Sequence, residues 1–457
     1  MRRNAIKRPD GTLRIGAGAG FAGDRIDPAV ELIEHGELDV LAFETLAERT
    51  IALAQLRRRS KSGAGFDERL TQRIGAVLAS ALNQRVLLIT NGGAADPRGG
   101  GLAVRQVARD LGCASCRIAV VTGDDVLDRL DLDASAALDT GEPLAAYRGR
   151  IVSANAYLGA APLVAALDSD PNIVVAGRTT DIALFLAPMI HAFGWSSDDW
   201  RTLAGGSVVG HLLECAGQLT GGYFADGDRK RVPRLARLGF PYADVNRDGT
   251  ARFAKVAGSG GRLDRSTCLE QLLYEVTDPS AYLTPDVTID FRAVEIVEPA
   301  TDSVVISGAN GHPPPATLKA SIGIDGGFSG VGAISYAGLG CLGRARLAGE
   351  ILRERWAEIY RRDPDQLHMS LIGMNSATPW KGLGTSEDAE PPEVRLRVAV
   401  QSMRHGEAQD LAREVEGLYT NGPAAGGGVE TSVRETVAII STLIPRQLVE
   451  PRIEVLE

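Results

Sequence analysis

Short apolar runs recur through the first two hundred positions, at 13–15, 38–43, 86–90, 118–122, 151–154 and 173–176. Each is too short for a buried helix and rich in Val, Ile and Leu, which predicts strands covered on both faces. Between them, 47–58, 66–84, 103–111 and 158–167 place apolar residues at helical spacing. Such alternation predicts an α/β fold: a mostly parallel sheet flanked by helices in the N-terminal half. Several runs end in glycine-rich polar loops: Gly16-Ala-Gly-Ala-Gly20, Asn91-Gly92-Gly93, Thr122-Gly-Asp-Asp and Gly177-Arg-Thr-Thr-Asp181. Ligands of parallel sheets sit at these carboxyl ends of strands.

From about residue 223 the pattern changes. Residues 243–253 alternate around Asp248-Gly249, a hairpin signal. Strand-like stretches follow at 284–297, 303–307 and 317–324. Then come a helix at 344–361, a strand at 393–400, a helix at 406–419 and a terminal segment to Glu457. The reading is an α/β domain over 1–222 and an α+β domain over 223–457, with a site at their interface. Proline-rich 313–315 and 391–392 are loop tips, and no internal repeat is evident.

The segment 206–222 has helical spacing, about 100° per residue. Ser207, His211, Glu214, Cys215 and Gln218 then share one face, and Val208, Leu212, Leu213, Ala216 and Leu219 the other. A solvated face normally carries Lys, Arg and Glu. Imidazole, carboxylate, thiol and amide together instead suit the wall of a cavity and proton transfer. His211, Glu214 and Cys215 are the candidate catalytic residues, with Glu214 or His211 moving the proton and Gln218 lining the pocket. The plainer alternative is a buried histidine satisfied by a carbonyl beside an inert core cysteine.

Gly18-Ala-Gly-Phe-Ala-Gly23 matches the dinucleotide pattern, with Glu44 at the end of the next strand. The next helix begins near Pro28, and Asp24 is an unwelcome neighbour for a pyrophosphate. Three readings stay open: a nucleotide loop, a loop aiming Asp24 and Arg25 at another substrate, or a structural turn. Arg178, beside Thr179 and Asp181, suits a substrate carboxylate or phosphate, or equally a local ion pair. The glycine loops holding Asn91, Gly92 and Gly93, Ser259, Gly260, Gly261 and Arg262, and Asn421 offer backbone amides to an oxyanion.

Composition narrows the classes. The chain has 457 residues, 44% of them hydrophobic, and a net charge of −9, which argues against a nucleic-acid partner. There is no run of 18 apolar residues and no apolar leader, so neither a membrane span nor a secretory signal is expected. The basic run Arg57-Arg58-Arg59-Ser60-Lys61 reads as a solvated helix end. Five cysteines, including the lone Cys113-Ala-Ser-Cys116, suit a reducing cytoplasm. No second histidine pair accompanies His211, so no metal is expected. The absence of GxSxG, P-loop and HExxH motifs removes serine hydrolase, P-loop and zincin readings.

The chain resembles the acyclic terpene utilisation AtuA family. The likeness is carried by Arg14-Ile-Gly-Ala-Gly-Ala-Gly-Phe-Ala-Gly-Asp-Arg-Ile-Asp27, Asn91-Gly-Gly, Gly177-Arg-Thr-Thr-Asp181 and Gly210-His-Leu-Leu-Glu-Cys-Ala-Gly-Gln218. Lys255-Val-Ala-Gly-Ser-Gly-Gly-Arg262, Tyr282-Leu-Thr-Pro-Asp-Val287, Ile372-Gly-Met-Asn375 and Leu418-Tyr-Thr-Asn-Gly-Pro423 continue it. Asn375 joins the candidate substrate-binding residues on this ground. The resemblance implies bacterial catabolism of citronellol- and geraniol-like terpenoids through acyl-CoA intermediates, with CoA entering, if at all, as part of the substrate and no other cofactor assigned. Many relatives carry a further small C-terminal domain, absent before Glu457, whose role would then be missing or supplied in trans. A cytoplasmic homo-oligomeric enzyme with a small-molecule substrate is expected, working by acid/base chemistry next to a carbonyl in the hydratase or lyase manner. The rivals are an NAD(P)-dependent oxidoreductase using the Gly18–Gly23 loop and a non-catalytic partner of an acyl-CoA enzyme.

Overall fold

In the computed structural model, which describes residues 8, 10–59, 63–377 and 391–457, the alternating segments become strands and helices in turn. They are β1 (Leu13–Ala19), α1 (Asp27–His35), β2 (Val40–Phe43), α2 (Glu48–Arg59), α3 (Leu70–Gln84), β3 (Leu87–Thr90), α4 (Pro97–Asp110) and β4 (Ile118–Thr122). Next come β5 (Ile151–Ala156), α5 (Ala161–Leu167), β6 (Ile173–Ala176), α6 (Ala183–Phe193) and α7 (Trp200–Leu213). β7 (Pro241–Val245) and β8 (Ala251–Lys255) form the hairpin at Asp248-Gly249, closed by Asn246 N–H donating to the Thr250 carbonyl at 2.8 Å. Then follow α8 (Arg265–Leu273), β9 (Tyr282–Leu283), β10 (Thr288–Asp290), β11 (Glu295–Ala300), β12 (Ser303–Ser307), β13 (Asn310–His312) and β14 (Thr317–Ala337). The chain ends with α9 (Cys341–Glu358), β15 (His368–Ile372), β16 (Glu393–Ser402), α10 (His405–Asn421), β17 (Gly427–Pro445) and β18 (Arg452–Leu456).

The fold is α/β. Among the described residues a ten-stranded mixed sheet has the order β11-β12-β8-β7-β1-β2-β3-β6-β4-β18. Its centre, β1-β2-β3-β6-β4, is parallel, and nearly every residue there is buried, as the unbroken apolar runs require. The flanks pair antiparallel, β7 on β1 and β18 on β4. β5 stays outside this sheet and pairs with β14. Its Ser153 and Asn155 alternate with Val152 and Ala154, a half-polar pattern unlike the apolar runs of the parallel centre.

The chain divides into two compact units, Met1–Gly323 with Ile439–Glu457, and Ile324–Ala438. The division anticipated at 222/223 instead falls inside the first unit, because the hairpin that follows it continues the sheet of β1. Within the second unit, β16 buries Val394, Leu396, Val398 and Val400 at period two against α9 and α10, around Trp356 and Val415. α2 ends at Arg59, whose neighbour Arg58 donates to the Ala95 carbonyl at 2.8 Å; Ser60 and Lys61 lie outside the described residues. Among the described residues no helix is long and apolar enough to cross a membrane.

Candidate active site

Loops after the parallel strands open on one cavity of about 1120 Å³. Asp24 and Arg25 reach it after β1, Glu44 after β2, and Arg178, Thr180 and Asp181 after β6. Glu214, Cys215 and Gln218 line it beyond α7, with apolar walls from Leu46, Leu138, Phe240, Tyr282, Leu318 and Leu443. Every lining residue belongs to the first unit.

Arg178 is the centre of charge. Its side chain is only 2% exposed, stacks over the Tyr157 ring at 4.0 Å and meets Asp181 Oδ1 at 3.6 Å. Among the described residues its Nε and Nη1 have no hydrogen-bond partner. Burial opposes the guanidinium charge, but Asp181, Tyr157, Glu48 and Glu44 outweigh it and raise the pKa, so Arg178 stays cationic. The turn that aims it is fixed from below. Asp124 accepts from Arg178 N–H at 3.0 Å and from Asn155 Nδ2 at 2.8 Å, and a side chain at Gly177 would strike the same carboxylate.

The carboxylates around this cation differ in state. Glu44 is buried, and burial pushes its carboxyl up to about 7 against the Leu46 N–H, the Asn91 amide and Arg178, with the Glu214 charge adding to the rise. Asn91 Nδ2 donates to Glu44 Oε1 at 3.0 Å, while Thr45 N–H donates to Asn91 Oδ1 at 2.8 Å, so Asn91 orients Glu44. Asp181 also lies well above the usual range, through enclosure and the charges of Glu44 and Glu214, which Arg178 only partly offsets. Glu48 is the opposite case. Enclosure raises it, but Arg178, the Tyr157 hydroxyl and Lys319 hold it at about 2. Tyr157 donates to Glu48 Oε1, and Lys319 Nζ reaches the same oxygen at 3.1 Å.

The expected continuous helix over 206–222 is not found. α7 starts earlier, capped by Asp199 on Thr202 N–H at 3.2 Å, and stops at Leu213; Ala216 turns left-handed at φ 42°. Close approach accounts for the stop: a Cβ on Gly20 would lie 2.5 Å from the Cys215 carbonyl carbon, so the end of β1 and the end of α7 touch backbone to backbone. His211 is fully buried behind the cavity wall, its Nδ1 2.8 Å from Glu214 Oε1 and its Nε2 3.2 Å from the Leu272 carbonyl. Both partners are acceptors, which calls for a proton on each ring nitrogen. Burial lowers its pKa, yet Glu214 and that carbonyl raise it further, and the contact holds the Glu214 carboxyl in place. Burial and Glu214 push the Cys215 thiol far up, which favours the neutral thiol on the cavity wall.

The motifs quoted above run in order through this framework, and the family's sequence model, described as acyclic terpene utilisation family protein AtuA, matches residues 13–455. The chain belongs to the AtuA family. No curated protein and no solved structure matches it. Membership places this chain in acyclic terpene utilisation.

Within this AtuA fold the remaining candidates fall elsewhere. Gly92 N–H donates to Thr90 Oγ1 at 2.9 Å, Gly260 N–H to the Arg237 carbonyl at 2.7 Å and Gly261 N–H to the Pro233 carbonyl at 2.8 Å. These amides are already paired and do not line the cavity, so they form no oxyanion hole there. Gly93 sits where a Cβ would lie 2.5 Å from the Ala176 carbonyl oxygen. Thr179 is buried beneath the lining, Ser259 Oγ donates to the Val256 carbonyl at 2.6 Å, and Arg262 pairs with Asp264, the cap of α8. Asn375 and Asn421 belong to the second unit, where they bond to Leu371 N–H at 2.7 Å and the Gly417 carbonyl at 3.1 Å. In the Gly18–Gly23 loop, a Cβ on Gly18 would meet the Phe43 ring at 2.6 Å, and Asp24 Oδ2 accepts from Gly20 N–H at 2.9 Å. These glycines serve close packing, and the carboxylate already occupies the Gly20 amide. Glu48, Tyr157 and Lys319 escaped the sequence reading. Glu44 had been noted only as part of a nucleotide pattern, although its place at a parallel strand's carboxyl end was the signal for it.

Proposed function

We propose that the cavity is the active site of an enzyme that moves a proton next to the carbonyl of a branched, acyclic carboxylic acid or its thioester, in the hydratase or lyase sense. The observation that carries this reading is Glu44, a buried carboxyl held at about 7, beside a buried Arg178 with unfilled donors. A base works best when its pKa is near the working pH, and a preorganised, buried cation stabilises developing negative charge. Arg178 takes the carbonyl oxygen. Glu44 removes the proton from the adjacent carbon, the electron pair forms the C=C bond, and the β-hydroxyl leaves as water with a proton from Asp181. Hydration is the reverse. Glu214, held by His211, completes the acidic wall, and Leu46, Leu318 and Phe240 receive the branched chain.

The test is incubation with branched 3-hydroxyacyl and enoyl acids and thioesters, followed by mass spectrometry for gain or loss of water and for deuterium uptake from D2O. Glu44→Gln should lower kcat by a factor on the order of 10²–10⁴ with no loss of melting temperature. Turnover unchanged in that variant, or no exchange with any acid or thioester, would overturn the reading.

A further inference from the structure

We propose that a collar of arginines at the cavity's edge, Arg25, Arg234 and Arg237, binds the pyrophosphate of a ligand whose apolar part enters the cavity. This deepens the active-site reading and rests on it for the orientation of the ligand.

The segment Arg229-Lys-Arg-Val-Pro-Arg-Leu-Ala-Arg237 concentrates cations in a chain of net charge −9. Some are neutralised: Lys230 pairs with Glu270 and Arg231 with Asp228. Arg234 and Arg237 make no ion pair among the described residues, and neither does Arg25; all three are exposed. The strand of chain that carries them is tied down. Gly260 N–H donates to the Arg237 carbonyl at 2.7 Å, Gly261 N–H to the Pro233 carbonyl at 2.8 Å, and Gly239 N–H to the Gly260 carbonyl at 3.0 Å. Arg234 Nη1 reaches the Gly258 carbonyl at 2.8 Å, and Arg25 Nη1 the Leu235 carbonyl at 2.9 Å. The last bond joins the segment to a cavity-lining residue, and Leu238, one position beyond Arg237, lines the cavity itself.

Arg25 and Arg234 thus each use one nitrogen for positioning and keep further donors for a ligand, while Arg237 is held through its backbone. Guanidinium groups in fixed orientation suit the paired oxygens of phosphates. Arg234 and Arg237 stand on the strapped segment without an ion pair, and the one carboxylate beside Arg25, Asp24, is turned to the Gly20 and Arg25 N–H groups, so the cations are left to a polyanion. The glycine loop offers no rival phosphate site, since Asp24 holds the Gly20 amide. A ligand with an apolar acyl or prenyl end and a pyrophosphate end satisfies both halves of the cavity. CoA thioesters, prenyl diphosphates and dinucleotides all carry that group.

Isothermal titration of the full-length protein with CoA, pantetheine, geranyl diphosphate, NADH and inorganic pyrophosphate tests this. At least one pyrophosphate-bearing ligand should bind, with affinity falling as salt rises, and pantetheine should bind at least tenfold more weakly than CoA if CoA is the source. Arg234→Gln/Arg237→Gln should weaken the pyrophosphate ligand at least tenfold, while Arg231→Gln, already paired, should leave it within about twofold. The ligand that loses most names the source. Equal affinity of wild type and double variant for every ligand, or no binding of any, overturns the collar. Glu44→Gln should bind the ligand normally, so failure of the catalytic reading and failure of the collar are read separately.

Discussion

Glu44 shows how one carboxyl can be tuned by its surroundings. Its ordinary value of 4.5 rises to about 7 because burial outweighs two hydrogen bonds and a neighbouring cation. A carboxyl with a folded-state pKa above the unfolded one binds more protons when folded. Its ionisation therefore costs stability progressively as pH rises from about 4.5 to about 7, and below that window the cost is absent. Glu44→Gln keeps an acceptor for Leu46 N–H and Asn91 and removes the charge. Compared with wild type, the variant should gain stability at pH 8, at most about 3 kcal/mol, and gain little at pH 4.5. Parallel urea titrations at the two pH values check this; an equal effect at both would mean that Glu44 is not ionising in the fold.

At the scale of elements, the site depends on strand ends meeting a helix end without side chains between them. Gly20 against the Cys215 backbone is the tightest such meeting. Gly20→Ala should cost about 1–3 kcal/mol, measured by denaturant midpoint, because neither backbone can retreat without shifting β1 or the end of α7. Strand identities in this region were legible beforehand, since unbroken apolar runs such as 118–122 and 173–176 are what a covered parallel strand needs. The stop of α7 was not. Ala216 carries no helix-breaking chemistry, and its left-handed φ is imposed by contact with β1, which no local spacing reveals. The same applies to Glu48, Tyr157 and Lys319. Glu48 and Lys319 stand 271 positions apart and share a charge network only once β5 and β14 are paired. His211 was visible as part of a polar stripe, but its contact with the Leu272 carbonyl on a distant helix was not.

For the whole molecule, several buried acids move in one direction. Burial pushes Asp124 and Asp286 up to about 6, in company with Glu44 and Asp181. His211, also raised, contributes stability below about 6.5 that is lost at higher pH. Only on the far acid side does the sign reverse, where Glu48, held at about 2, loses its favourable pairing as pH falls below about 4.5. The melting temperature should therefore peak at about pH 5–6 and decline towards pH 8. A maximum at or above pH 8 in a thermal scan would contradict that balance. The ladder between β18 and β4 has a consequence for biosynthesis. Thr122 and Arg452 are 330 positions apart, so a nascent chain displays the bare rim of β4 until residues 452–456 have been made. Until β18 docks, that rim is open to stray pairing, which makes residues 452–456 a guard against aggregation as well as part of the sheet.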